Sequence, residues 1–201
     1  MRSICEFDDV TGVILAGGRS TRMGKDKATL EIGGVSLFEN ILWVMQELFP
    51  QIIIAGDRRD LSSPYIPCYS DHYPGSALGG LYTGLYEAKT DLIFVASCDL
   101  PFPDPYIIRL ILAYRHDFDV VVPKTTYGLE PIFALYRKTC LNHMKDMLEH
   151  DEYRIYDFFP KVSVRYVNVD ELPDGWENSF LNVNTPEEFQ SVGGDKTWGN
   201  I

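Results

Sequence analysis

The order of apolar and polar positions divides the chain into short strands alternating with longer helices. The apolar run "TGVILA" predicts a buried strand that ends at a glycine-rich loop. Further on, "SLFENILWVMQELF" places Leu37, Ile41, Leu42, Met45 and Leu48 at helical spacing, with Ser36 as the N-cap. "QIIIAG" predicts a second strand, "YIPCYS" a short third, and "GGLYTGLYEAK" a helix with Leu81, Leu85 and Ala88 on one face. "DLIFVASCD" reads as an apolar strand ending in a carboxylate. "DPYIIRLILAYR" predicts a helix capped by Asp104 with Pro105 in its first turn, and "FDVVVP" another strand. After Pro123 the pattern loosens: "LEPIFALYR" and "KVSVRYVNV" are strand-like, "KTCLNHMKDMLEH" is helical, and "TPEEFQSV" is a short closing helix capped by Thr185. This alternation predicts an α/β domain of three layers, a mostly parallel sheet covered by helices on both faces.

A length of 201 residues suits one domain, 1–201, with its core over about 10–191. The polar, glycine-rich tail from Gly193 is expected to be loosely held. The net charge of -11 repels nucleic acids and anionic membranes, which argues against both as partners. Against that acidic background Arg19, Arg22, Lys25 and Lys27 cluster in one loop, an arrangement suited to a small anion. The four cysteines have no C-x-x-C spacing, so disulfide and zinc readings are weak and a reducing cytoplasm is the expected setting. The opening "MRSICEFDDV" carries acidic residues where a signal peptide needs an apolar core, and no segment is long enough to span a membrane.

The cationic loop, "LAGGRSTRMGKDK", follows the first strand, and glycine plus lysine there points to phosphate. It is not a Walker loop: five residues separate Gly18 from Gly24, and Asp26 stands where a Mg²⁺-binding hydroxyl should follow Lys25. It is not a dinucleotide fingerprint either, because no glycine stands two residues after Gly17 or Gly18. In open parallel sheets, ligands bind beyond the carboxyl ends of the strands, where Asp99 would also arrive. A carboxylate beside a phosphate site needs a bridging cation, and Mg²⁺ is commonly held by one or two carboxylates plus substrate phosphates. The alternative is that Asp99 caps the turn at Pro101. Asp71 and "HYPGSALGGL" form a second candidate loop entering a helix, although glycine there also serves as turn punctuation. Asn182 and Asn184 alternate on "NVNTPEE" and would project to one face, either to read a polar ligand or to satisfy local backbone. The four histidines lack metal-ligand spacing. Cys98 reads as packing, and Trp43, Trp176 and Trp198 as packing or tail residues.

In this order, "LAGGRSTRMGKDK", "HYPGSALGGLYTGL", "ASCDLPF", "EPIFALY" and "NVNTPEE" resemble the molybdenum cofactor guanylyltransferases, from about Val13 to Phe189. The resemblance implies a Rossmann-like nucleotidyltransferase fold of the nucleotide-diphospho-sugar transferase type. It implies nucleotide contacts from Leu15, Ala16, Gly17, Gly18, Lys27, Asp71 and Asp99, with Asp99 the Mg²⁺ ligand. Arg22 would support the reacting phosphates, making Arg22, Lys27 and Asp99 the catalytic set, and Asn182 and Asn184 would face the molybdopterin. The implied partners are GTP, molybdopterin and proteins that handle the cofactor, including molybdoenzyme chaperones. One departure stands out: some members carry an Asn at the end of the second strand, where this chain has Ala55. The expected reaction is GMP transfer from GTP to molybdenum-loaded molybdopterin, releasing pyrophosphate. The rival readings are transfer to a sugar-1-phosphate or lipid-precursor phosphate, cytidylyl transfer to molybdopterin, and a non-catalytic nucleotide-binding regulator.

Overall fold

A computed structural model describes residues 6–17, 26–183 and 185–193. In chain order its strands are β1 (Val10–Leu15), β2 (Glu31–Ile32), β3 (Val35–Ser36), β4 (Ile52–Ala55), β5 (Cys68–Tyr69), β6 (Leu92–Ser97), β7 (Val120–Thr125), β8 (Gly128–Leu129), β9 (Phe133–Arg137) and β10 (Val164–Asn168). The α-helices are α1 (Leu37–Leu48), α2 (Ala77–Glu87), α3 (Pro105–Leu112), α4 (Leu141–Glu149) and α5 (Pro186–Ser191).

The main sheet runs β10-β7-β9-β6-β1-β4-β5, with β8 paired to the end of β7. Strand β1 lies parallel to both β4 and β6, and β4 to β5. Strand β9 runs antiparallel between β6 and β7, so the strand expected from "LEPIFALYR" is split and its main part reverses direction. An apolar run reports burial, not direction, which is why the reversal escapes the pattern. The β2–β3 hairpin also escapes it, because two-residue strands are too short to show a period.

Side-chain alternation sends Val10, Ile14, Phe94 and Ala96 to one face of the sheet, where α1 and α3 pack. Val13, Leu15, Ile93 and Val95 point to the other face, against α2 and α4. This is the three-layer arrangement read from the sequence. Helix α2 rests unusually close to the sheet: a Cβ at Gly84 would stand 2.5 Å from Val13 Cγ1. Ser36, Asp104 and Thr185 cap α1, α3 and α5 through side-chain oxygens, as their positions predict. Trp43 differs from expectation, for it sits on the outer face of α1 and is 56% exposed.

Candidate functional site

Strands β1, β4 and β6 end at the same edge of the sheet, where Leu15 pairs with Ala55 on one side and Ser97 on the other. Beyond these ends lies a cavity of about 800 Å³ whose walls include Leu15, Gly17, Asp57, Asp71, Gly80 and Ser97. Its size suits a nucleotide or cofactor-sized ligand. The chain backbones meet closely at its rim: Gly56 has φ +132°, and a Cβ there would stand 2.6 Å from Gly17 N. Ala16 N donates to Ala55 O at 3.0 Å and Gly56 N to Tyr69 O at 2.9 Å, which locks the rim in place. These bonds already engage backbone at Ala55 and Gly56, and the polar side chain that lines the cavity from this loop is Asp57.

Asp71 follows β5 and its Oδ1 is shielded from solvent without a hydrogen-bond partner among the described residues. Burial pushes its carboxyl above the usual range, with the His72 charge opposing weakly. Gly17 is packed against it: a Cβ there would lie 3.1 Å from Asp71 Oδ2. Asp99 is placed differently. Its Oδ1 accepts a 2.5 Å hydrogen bond from Ser97 Oγ, and Lys27 Nζ stands 3.3 Å from its Oδ2. Among the described residues no backbone N–H of the Pro101 turn donates to this carboxylate, so turn capping does not explain it.

Asn182 reaches the same region through its neighbour. Val183 N donates to Asp99 O at 3.3 Å, and Val183 packs with Leu30, Leu37 and Phe189 behind the turn that carries Lys27. Asn182 Oδ1 is buried and, like Asp71 Oδ1, lacks a partner among the described residues. Thus Leu15 and Gly17 line the cavity with Asp71, Ala16 lies between them, and Lys27 meets Asp99 just past the end of β6, with Asn182 one residue before the Val183 N–H that bonds Asp99 O. Gly18, Arg22 and Asn184, with Arg19 and Lys25 of the cationic loop, lie outside the described residues. Cys98 is buried and its thiol is pushed up to about 12 by desolvation, which rules it out as a thiolate nucleophile at neutral pH. His72 pairs with Glu87 at 2.7 Å, and His150 is exposed at the end of α4.

Sequence reasoning missed Ser97 and Asp57. Ser97 ends β6 two residues before Asp99, which lies in the following turn, and that close spacing was its one legible signal. A divalent cation fits this arrangement. Among the described residues no group of three His, Cys, Asp or Glu forms a preformed cage. A Mg²⁺ that arrives with phosphates needs only one or two carboxylates, and Asp99 offers one at the strand end beside Lys27.

The model of the MobA-like NTP transferase domain matches residues 12–163. The chain belongs to this family. The probable molybdenum cofactor guanylyltransferase of Pelotomaculum thermopropionicum is 36% identical over 186 residues, 89% of each chain. The molybdenum cofactor guanylyltransferase of Vibrio atlanticus is 32% identical, covering 90% of this chain and 94% of the relative. In fold, the chain is similar to the crystal structure of molybdopterin-guanine dinucleotide biosynthesis protein A from Archaeoglobus fulgidus, with a TM-score of 0.78 at 23% identity over 91% of this chain and 96% of that one. These relatives share a nucleotidyltransferase architecture across nearly the whole length of the chain, and membership of the family makes it a nucleotidyltransferase. Among the described residues no helix is long and apolar enough to cross a membrane.

Proposed function

We propose that the protein transfers GMP from GTP to the phosphate of molybdenum-loaded molybdopterin, forming the guanine dinucleotide cofactor and releasing pyrophosphate. One observation carries this reading: two buried side-chain oxygens lack partners among the described residues, Asp71 Oδ1 in the cavity wall and Asn182 Oδ1 on the residue before Val183, whose N–H bonds Asp99 O. Buried polar atoms are nearly always hydrogen-bonded, so these two orphans fit ligand donors that complete them. A carboxylate accepts from two adjacent N–H donors. Guanine presents such a pair at N1–H and its 2-amino group, whereas cytosine offers no such pair. A pterin carries ring N–H and amino donors that Asn182 Oδ1 can accept. The relatives named as guanylyltransferases support the same substrates.

In the reaction, a phosphate oxygen of the acceptor bonds to the α-phosphorus of GTP as the bond to the departing pyrophosphate breaks. The acceptor's phosphate monoester has a second pKa near ~6 and is already a dianion for much of the time at neutral pH, so no histidine base is needed. The chain's task is position and charge. Leu15, Ala16 and Gly17 shape the rim over the base, Asp71 orients guanine, and Lys27 places a cation at the phosphates. Arg22 and Gly18 belong to the phosphate loop in this reading, and Asn184 accompanies Asn182 at the acceptor. Asp99, held by Ser97, would bind Mg²⁺, which supplies charge neutralisation to the phosphates when it is bound. The three described cysteines are free thiols, which suits a reducing cytoplasm.

Pyrophosphate release from GTP and Mg²⁺ tests the reading. Release is expected with molybdenum-loaded molybdopterin, and little with glucose-1-phosphate or without an acceptor. Equal turnover with glucose-1-phosphate would overturn the acceptor assignment, and faster turnover with CTP the guanine assignment.

A further inference from the structure

Arg58 stands just outside the cavity, yet its side chain is only 16% exposed and both edges of its guanidinium are used. Nη1 donates to Asp26 Oδ1 at 2.8 Å, and Nη2 lies 2.6 Å from Asp26 Oδ2. Nε and Nη2 donate to the two oxygens of Asp60 at 3.0 and 2.7 Å. This fork across two carboxylates suits arginine and cannot be reproduced by lysine.

The partner on the far side matters more than the pair itself. Asp26 Oδ1 also accepts from Ala28 N at 3.1 Å, capping the short turn Lys27–Thr29. That turn delivers Lys27 to within 3.3 Å of Asp99. On the near side, Arg58 follows Asp57 of the cavity wall, and its own N–H donates to Gly56 O at 3.1 Å. Gly56 in turn sits against Gly17. Arg58 therefore makes a direct side-chain link between the wall of the cavity and the turn that presents Lys27, although 31 positions separate residue 27 from residue 58.

We infer that Arg58 is a positioning residue for nucleotidyl transfer: through Asp26 it fixes Lys27 against Asp99 and ties that placement to the base-binding wall at Gly56 and Asp57. The inference rests on the proposed role of Lys27 in the nucleotide site. Asp26 and Asp60 are 44% and 59% exposed, and ion pairs with such open partners contribute little to stability. Loss of Arg58 should therefore register in turnover more than in thermal midpoint.

The test uses the full chain with GTP, Mg²⁺ and molybdopterin. Arg58→Met should lower kcat by about tenfold or more, because ångström-scale misplacement of a reacting group can reduce rate about 100-fold. Arg58→Lys should recover part of the loss. Asp26→Asn, which keeps a capping side chain but loses the ion pair, should reproduce the defect if Arg58→Met fails to fold. The deciding measurement repeats Arg58→Met in a Lys27→Met background, where a residue acting through Lys27 should change kcat less than about threefold. The same loss in both backgrounds would overturn the inference. Wild-type turnover in Lys27→Met would instead overturn the reading of the site. A crippled Lys27→Met beside unaffected Arg58→Met and Asp26→Asn would remove the strap alone.

Discussion

Asp71 and Asp99 are both carboxylates delivered to one edge of the sheet, yet their surroundings are opposite. Asp71 holds a buried oxygen with no partner among the described residues, and burial raises its pKa. Asp99 has both oxygens occupied, one by Ser97 and the other by Lys27. The first site has a demand that no described residue satisfies and that an incoming donor would. The second is balanced before any ligand arrives, and a ligand must exchange with the ammonium already there. On the proposed reading, base recognition relieves a standing desolvation penalty, while phosphate and metal binding rearranges a charge pair. Selectivity for the base should thus be written in affinity, and the phosphate end in rate.

The largest expected effect breaks the balanced end. Asp99→Asn keeps the side-chain shape but removes its charge, and kcat for GMP transfer should fall at least about 100-fold, the scale of losing one electrostatic stabiliser. Wild-type turnover in this variant would take Asp99 out of the reaction.

Next in size is Asp71→Asn, which strikes the orphaned end. GTP affinity by calorimetry should fall by roughly 10- to 100-fold, since hydrogen bonds to charged groups contribute about 1.5–3 kcal/mol. Thermal stability should move the other way. Because burial raises the folded-state pKa of Asp71, the folded protein keeps a proton that the unfolded chain releases as pH climbs past the ordinary carboxylate value. Stability from this residue is therefore lost as pH rises through the raised pKa. Melting scans of the ligand-free protein from acid to neutral pH should show that loss in the wild type and not in Asp71→Asn. Identical pH profiles would show that the ionised side chain carries no penalty.

The smallest effect sharpens the contrast. Gly17→Ala places a methyl 3.1 Å from Asp71 Oδ2, a contact that a slight shift can absorb. GTP binding should weaken by about tenfold or less while kcat at saturation stays near wild type, since the change touches the base end alone. A fall in kcat larger than the fall in affinity would show that the two ends are not separable.

Much of this was legible in the residues because it is local. Continuous apolar runs marked β1, β4 and β6 as strands buried on both faces, and Ser36, Asp104 and Thr185 marked helix starts through a side chain that caps its own neighbours. The position of Asp99 just past the end of β6 was legible because the apolar run stops there, and its role in the reaction remains part of the proposal. What stayed hidden depends on partners far along the chain. Nothing near Arg58 announces Asp26, 32 positions away, and "FALYR" reads the same whether it runs up or down the sheet. Trp43 was misleading for another reason: a large aromatic ring on a helix invites a buried assignment, but its position on α1 falls between the residues that face the core.

The reversed strand also bears on how the chain is made. Strand β6 bonds along one edge to β1, already synthesised, and along the other to β9. Phe133, the first residue of β9, follows Ser97, the last of β6, by 133 − 97 = 36 positions. At about 5–20 residues per second, a nascent chain leaves the ribosome with that second edge unpaired for roughly 2–7 s. All six residues of β6 but Ser97 are fully apolar and buried in the finished protein, so this interval exposes an open, sticky edge beside a half-built sheet. The same reversal that brings Ile132 to the cavity makes the arrival of β9 the step that covers this edge of β6.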